Sequence, residues 1–335
     1  MSIAFTHKQS AHCENGVVSN LLRFHGMEVD EPLVFGIGSG LLFSYLPFIR
    51  LNGIPVVSYR IWPGQIFKRF SNRTGIKIER QKFSSTKTAM DALDRQLDKG
   101  QPVGMLTSVF YLDYLPAAYR FHFNAHNIIV FGKENGRYQV SDPIMEYTTE
   151  LSYEDLVRAR FAKGMPEPSG RMYYPVQVPA HADFEKAIWT GIKQTSHDMT
   201  QIPMPLIGTK GMKYLSKRLR KWPERIGNRK AILWLGNMIR MQEEIGTGGA
   251  GFRFIYAAFL DQASARLKND ALFELSKKLT QSGDQLREIA YYAGRVCKSR
   301  TSDIKSFGEL GDMLERTAAF EHEVFSELYQ LSKSR

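Results

Sequence analysis

Cysteine is scarce: two residues, Cys13 and Cys297, in a chain of 335. A disulfide framework is thereby excluded, and neither cysteine stands in a cysteine–histidine spacing that suits zinc. Acidic residues are also few, 34 against 45 lysines and arginines, and the resulting net charge of +11 favours acidic partners. Nucleic acid is not the expected one, because no helix-turn-helix, zinc or RNP signature accompanies the charge. Long apolar runs are nearly missing. The uncharged stretch LVFGIGSGLLFSYLPFI, residues 33 to 49, is broken by three glycines, two serines and Pro47, and it falls short of the roughly 20 apolar residues that span a bilayer. No transmembrane segment is expected, and this stretch reads as a buried loop and helix near the first cysteine. The opening MSIAFTHKQSAHC has neither the basic start nor the apolar core of a secretion signal, which makes the cytoplasm the expected setting. No internal repeat or low-complexity tract occurs.

Hydrophobic residues make up 43% of the chain and aromatics 12%, ample for the cores of two domains at this length. The patterning changes along the chain. Before residue 180, turn-bounded apolar strands alternate with helical stretches: GIPVVSY, TGIKIER, the helix TAMDALDRQLDKG ending at Gly100, and PVGMLTSVFY. Residues 164 to 180 hold four prolines and two glycines and read as a connection. From 183 to 333 the periodicity is helical throughout.

Cys13 stands where a helix should begin. In QSAHCENGVVSNLLRFHG, Val17, Leu21 and Phe24 recur at helical spacing and Gly26 supplies a stop, which predicts a helix over 13–25. First-turn N–H groups and the positive end of the helix dipole favour a thiolate there and can hold an oxyanion. A small buried apolar cysteine is the competing reading. About 110 residues on, NAHNIIVFGKENGRYQVSDP predicts two paired strands around an Asn135-Gly136 turn. His126 opens the first strand and Asp142 closes the second, so pairing brings both to one end of the hairpin, where the carboxylate can orient the ring. Singly, these two residues also suit a strand-end histidine and a turn residue before Pro143. A thiol, an imidazole and a carboxylate in this order point to covalent catalysis. His12 adjoins Cys13, but consecutive helical side chains diverge, so it is a poor base. His122 reads as an alternative base, an acceptor contact or a structural residue, and Cys297 as structural.

The order and the strands resemble the papain-like cysteine peptidases, particularly the bacterial double-glycine leader peptidases. The succession HCENGVVSNLLRFHG, EPLVFGIGSGLLFSY, GQPVGMLTSVFYLDYLP and HNIIVFG is more closely similar to the N-terminal domain of the butirosin biosynthesis protein H family. EEIGTGGAGFRFIYAAFL is similar to the signature of the helical domain that usually follows. The resemblance implies an α+β fold with a papain-like catalytic domain at 1–165, a linker at 166–182 and an all-helical acceptor or lid domain at 183–335. It implies an acyltransferase of a secondary-metabolite pathway that takes an acyl group from an acyl carrier protein thioester onto Cys13 and passes it to a small amine. Cys13, His126 and Asp142 would be the triad. No cofactor of its own is implied, only the phosphopantetheine arm of the carrier. In the leader peptidases a glutamine shortly before the cysteine helps form the oxyanion hole; Gln9 is the nearby candidate here, at a spacing that departs from theirs. A cysteine peptidase or amidase with the same triad and a non-catalytic binding protein for an acidic partner are the alternatives.

Two features of the helical half remain. GTGGAG, residues 246 to 251, formally meets the dinucleotide fingerprint, but a helix precedes it where a strand is required, which rejects nicotinamide and flavin. It reads as an anion seat at a helix N-terminus, with Glu244, Gly246, Thr247, Gly248 and Arg253 as contacts, or as a helix-to-helix connection. Residues 210 to 230 hold nine lysines and arginines against the single acid Glu224. Lys217, Arg218, Arg220 and Lys221 are candidate docking contacts for an acidic carrier protein, with a solvated face or an anionic membrane surface as other readings.

Overall fold

The computed structural model describes residues 3–298 and 306–334. Helix α1 (Cys13–Phe24) buries Val17, Val18, Leu21 and Leu22. Gly26, at φ +81°, ends it, with Gly26 N–H on Arg23 O and Met27 N–H on Leu22 O, a left-handed cap that a side chain would strain. There follow α2 (Glu31–Ile37), β1 (Leu41–Leu51), β2 (Ile54–Arg60), α3 (Gln65–Thr74), β3 (Lys77–Gln81), α4 (Thr86–Asp98), β4 (Val103–Thr107), β5 (His126–Glu134), β6 (Arg137–Ser141), β7 (Thr149–Leu151), α5 (Tyr153–Arg160) and β8 (Met172–Gln177). Among the described residues that follow, the regular elements are helices: α6 (Phe184–Thr200), α7 (Gly208–Leu219), α8 (Trp222–Ile226), α9 (Asn228–Glu243), α10 (Arg253–Leu267), α11 (Asp270–Cys297) and α12 (Phe307–Lys333).

The chain divides into two compact units, residues 1–34 with 67–182 and residues 35–66 with 183–335. The first is α+β. Its antiparallel sheet runs β3-β8-β4-β5-β6-β7, and strand alternation gives each face its own core. Ile129 and Phe131 of β5 meet Val17 and Leu21 of α1 on one side. Ile128 and Val130 meet Leu93 and Leu97 of α4 and Leu156 of α5 in the other core. Asn135 at φ +49° and Gly136 at φ +78° make the tight turn between β5 and β6, the pairing that matches strand twist.

Residues 166–182 are not a linker. Met172 and Tyr174 are buried, and β8 lies between β3 and β4, so the strand alternation of MYYPVQ outweighs the prolines around it. Pro175, which has no N–H for the ladder, pairs with Ile78 next to a register shift.

The second unit corrects the expected boundary again. Residues 33 to 49 hold most of α2 and of β1, with Leu41, Phe43 and Tyr45 buried, and from residue 35 on they lie in this unit. The β1–β2 hairpin packs on α7 and α9, and Tyr45 N–H bonds Leu206 O at 3.0 Å. This unit is therefore not all-helical, and residues 35–66 do not belong to the first. Its remaining core is helix on helix, α10 on α11 and α12 on α6 and α7. Among the described residues no helix is long and apolar enough to cross a membrane.

Candidate active site

Cys13 is the first residue of α1 and is 9% exposed. The chain ahead of it is held by Glu31, whose Oε2 accepts the Ala11 N–H at 2.9 Å and whose Oε1 accepts the His12 N–H at 2.6 Å. Burial raises the Glu31 carboxyl above its ordinary range, and these two bonds pull it back. Ser10 N–H also bonds Pro143 O at 2.7 Å, tying this segment to the residue after Asp142.

The hairpin delivers the other two groups. Ile129 pairs with Ser141, and continuing that register sets Asp142 opposite Ile128, on the sheet face that His126 shares. His126 Nε2 lies 2.7 Å from Asp142 Oδ2, both residues being buried. The Tyr114 hydroxyl donates to the same oxygen at 2.7 Å, and the Ile144 N–H donates to Oδ1 at 3.2 Å. With Nε2–H committed to the carboxylate, Nδ1 is left for another partner. The ring also hydrogen-bonds Cys13. Burial by itself would lower the imidazole pKa; the charges of Asp142 and then of the Cys13 thiolate overcome it and push it up to about 10. Such a set can hold a thiolate–imidazolium pair with the ring oriented by a carboxylate, which is a ready nucleophile.

Two residues escaped the sequence reading. Tyr114 comes from the long connection between β4 and β5, where no pattern marks it. Burial, and next the Asp142 charge, push its phenol well up, so it stays a donor to Asp142. Asn127 was legible in retrospect: alternation puts 127, 129 and 131 on the α1 face of β5, and it is the lone polar residue of the three. Its Nδ2 lies 3.9 Å from Cys13 Sγ, and its Oδ1 accepts the Tyr173 hydroxyl at 2.7 Å.

The family description "Butirosin biosynthesis protein H, N-terminal" matches residues 12–143, which span Cys13, His126 and Asp142, and "Domain of unknown function (DUF4872)" matches residues 154–328. The second match spans more than half of the chain, which belongs to that DUF4872 family, and its first part matches the butirosin biosynthesis protein H family. No curated protein matches this chain. Among solved structures, a crystal structure of a C39-like peptidase from Bacillus anthracis is similar at 15% identity and TM-score 0.38, over 52% of this chain and 97% of that one.

Other expected contacts of this butirosin H-like chain fall elsewhere. Gln9 is exposed and its side-chain amide donates to Ile144 O at 3.3 Å, so it forms a surface tie instead of an oxyanion contact. His122 stacks on Phe110, ring centres 4.1 Å apart. The groups expected to seat an anion at the glycine loop are engaged within the protein. Gly246, Gly248, Gly249 and Gly251 all have positive φ, and a side chain at Gly251 would strike the Tyr59 ring, so the glycines answer to backbone geometry. Thr247 Oγ1 donates to Gln242 O and accepts the Gly249 N–H, while Glu243 takes the Ala250 N–H. Arg253 is fully buried in a two-pronged ion pair with Glu321, at 2.9 and 2.8 Å, with a third bond to Gly251 O. Glu244 is exposed and pairs only loosely with Arg240 at 3.8 Å. In the basic stretch, Arg220 is committed to Asp312 and Glu315 of α12, and Arg218 is half-buried, which leaves Lys217 and Lys221 exposed.

The Arg253–Glu321 pair gives a direct check. Arg253→Met strands a buried carboxylate and is expected to cost about 3–5 kcal/mol, whereas the double variant Arg253→Met/Glu321→Leu restores most of that loss. Urea unfolding measures both; a surface ligand contact would leave stability unchanged.

Proposed function

We propose that this chain is an acyltransferase that moves an acyl group from a carrier-protein thioester to an amine through an acyl-Cys13 intermediate. The observation that carries the reading is the buried hairpin pair His126–Asp142 meeting the thiol at the start of α1; the match of residues 12–143 to the butirosin biosynthesis protein H family adds to it. The Cys13 thiolate attacks the thioester carbonyl carbon, a new C–S bond forms, and the phosphopantetheine sulfur departs with the proton His126 gives up. Loss of the thiolate charge leaves the ring less basic and neutral, ready to take the proton of the attacking amine. The new amide bond then releases Cys13.

Exposed Lys213, Lys217, Lys221, Arg225 and Arg229 recur at every fourth position from α7 into α9, a distribution that suits an acidic carrier. The test is to mix the protein with an acyl-loaded carrier and read intact mass. One acyl group on the wild type, none on Cys13→Ala, and discharge on adding a small amine are expected, with slower loading at high salt. Peptide cleavage without any carrier, and no adduct with it, would replace this reading by a peptidase.

A further inference from the structure

The acyl-enzyme reading requires donors for the oxyanion, and Gln9 is spent elsewhere. We infer that Asn127, held in place by Tyr173, donates its side-chain N–H to the oxyanion formed when Cys13 attacks a carbonyl. The inference rests on the acyl-Cys13 chemistry proposed above, though not on the carrier as donor.

Geometry makes the case. Asn127 is 5% exposed, and its Nδ2 stands 3.9 Å from Sγ. That is long for a bond to sulfur in the resting state but suited to an oxygen one atom further out, since effective donors sit about 2.7–3.1 Å from the oxyanion position. The orientation of the amide is fixed from both ends. Nδ2 also faces Ala125 O at 3.4 Å, which only a donor can satisfy, and Oδ1 accepts the Tyr173 hydroxyl at 2.7 Å. Burial, with the Glu14 and Cys13 charges behind it, pushes the Tyr173 phenol well up, so it keeps its proton for Oδ1, while the Ala125 carbonyl holds Nδ2 on the other side. In the step itself, the sulfur lone pair forms the C–S bond and the carbonyl π pair moves onto oxygen, where Asn127 and the N–H groups of the first α1 turn receive it. Collapse restores C=O and expels the leaving group.

The test compares two reactions at Cys13. p-Nitrophenyl acetate passes through an oxyanion; iodoacetamide alkylates the same sulfur without one. Asn127→Ala is expected to slow acetylation about 10²–10³-fold while changing alkylation by less than about twofold, and Tyr173→Phe, which frees the amide to rotate, to slow acetylation alone by a smaller factor. Equal loss in both reactions would mean a disturbed sulfur, and unchanged acetylation would mean an idle amide; either overturns the inference. Acetylation of the wild type by the ester with no loading from a carrier thioester would overturn only the carrier reading, whereas a Cys13 that takes no acetyl group sinks both.

Discussion

Replacing His126 with alanine is expected to slow acylation of Cys13 by about 10²–10⁴-fold, the usual worth of a positioned acid–base group. The ring provides a countercharge for the thiolate and a proton for the leaving sulfur, and alanine provides neither. Alkylation separates these two roles. At about pH 6 an ordinary thiol, titrating near 8.5, is almost all protonated and reacts slowly. Wild-type Cys13, charge-coupled to a ring held protonated up to about 10, should label quickly at that pH, and His126→Ala slowly. Equal labelling rates would show that sulfur and ring do not share charge.

Asp142→Asn is expected to lower acylation by a similar factor, for a different reason. A carboxamide has one acceptor oxygen for the three donors that face Asp142, the His126 Nε2–H, the Tyr114 hydroxyl and the Ile144 N–H, so its NH₂ must oppose at least one of them. The largest influence raising the ring is also lost, while the burial that lowers it remains. Stability reports this with a definite sign. His126 lies above its unfolded value of 6.5, so its contribution is fully present below about pH 6.5 and is lost as the pH rises through about 10. The Cys13 charge is itself one of the influences that raise the ring, so the comparison keeps the cysteine and sets the wild type against Asp142→Asn. Urea midpoints should decline between those pH values only where Asp142 is retained; parallel curves would refute the coupling.

The site was legible wherever local pattern governs position. Helical spacing around Val17 and Leu21 fixed the start of α1, and Asn135-Gly136 fixed the hairpin that sets His126 beside Asp142. Tyr114 was not legible, because its bond to Asp142 depends on the path of a long connection that no periodicity describes. Arg253 misled for a related reason: first-turn position suggested an anion site, yet its partner Glu321 lies 68 residues away on another helix. Pro175 disguised a sheet strand, since proline content marks a connection only where the flanking alternation is weak. Residues 35–66 carried a clear strand signal in GIPVVSY but nothing to say which core would take it.

That last placement governs how the protein can be taken apart. The backbone passes from one unit to the other at 34/35, 66/67 and 182/183. A fragment stopped at residue 182 would keep the β1–β2 ribbon while discarding α7 and α9, on which it rests, leaving Leu41, Phe43 and Tyr45 bare and prone to stick. Isolating the half that bears Cys13 therefore calls for two excisions, of residues 35–66 and of the chain from 183 onward, with 34 rejoined to 67.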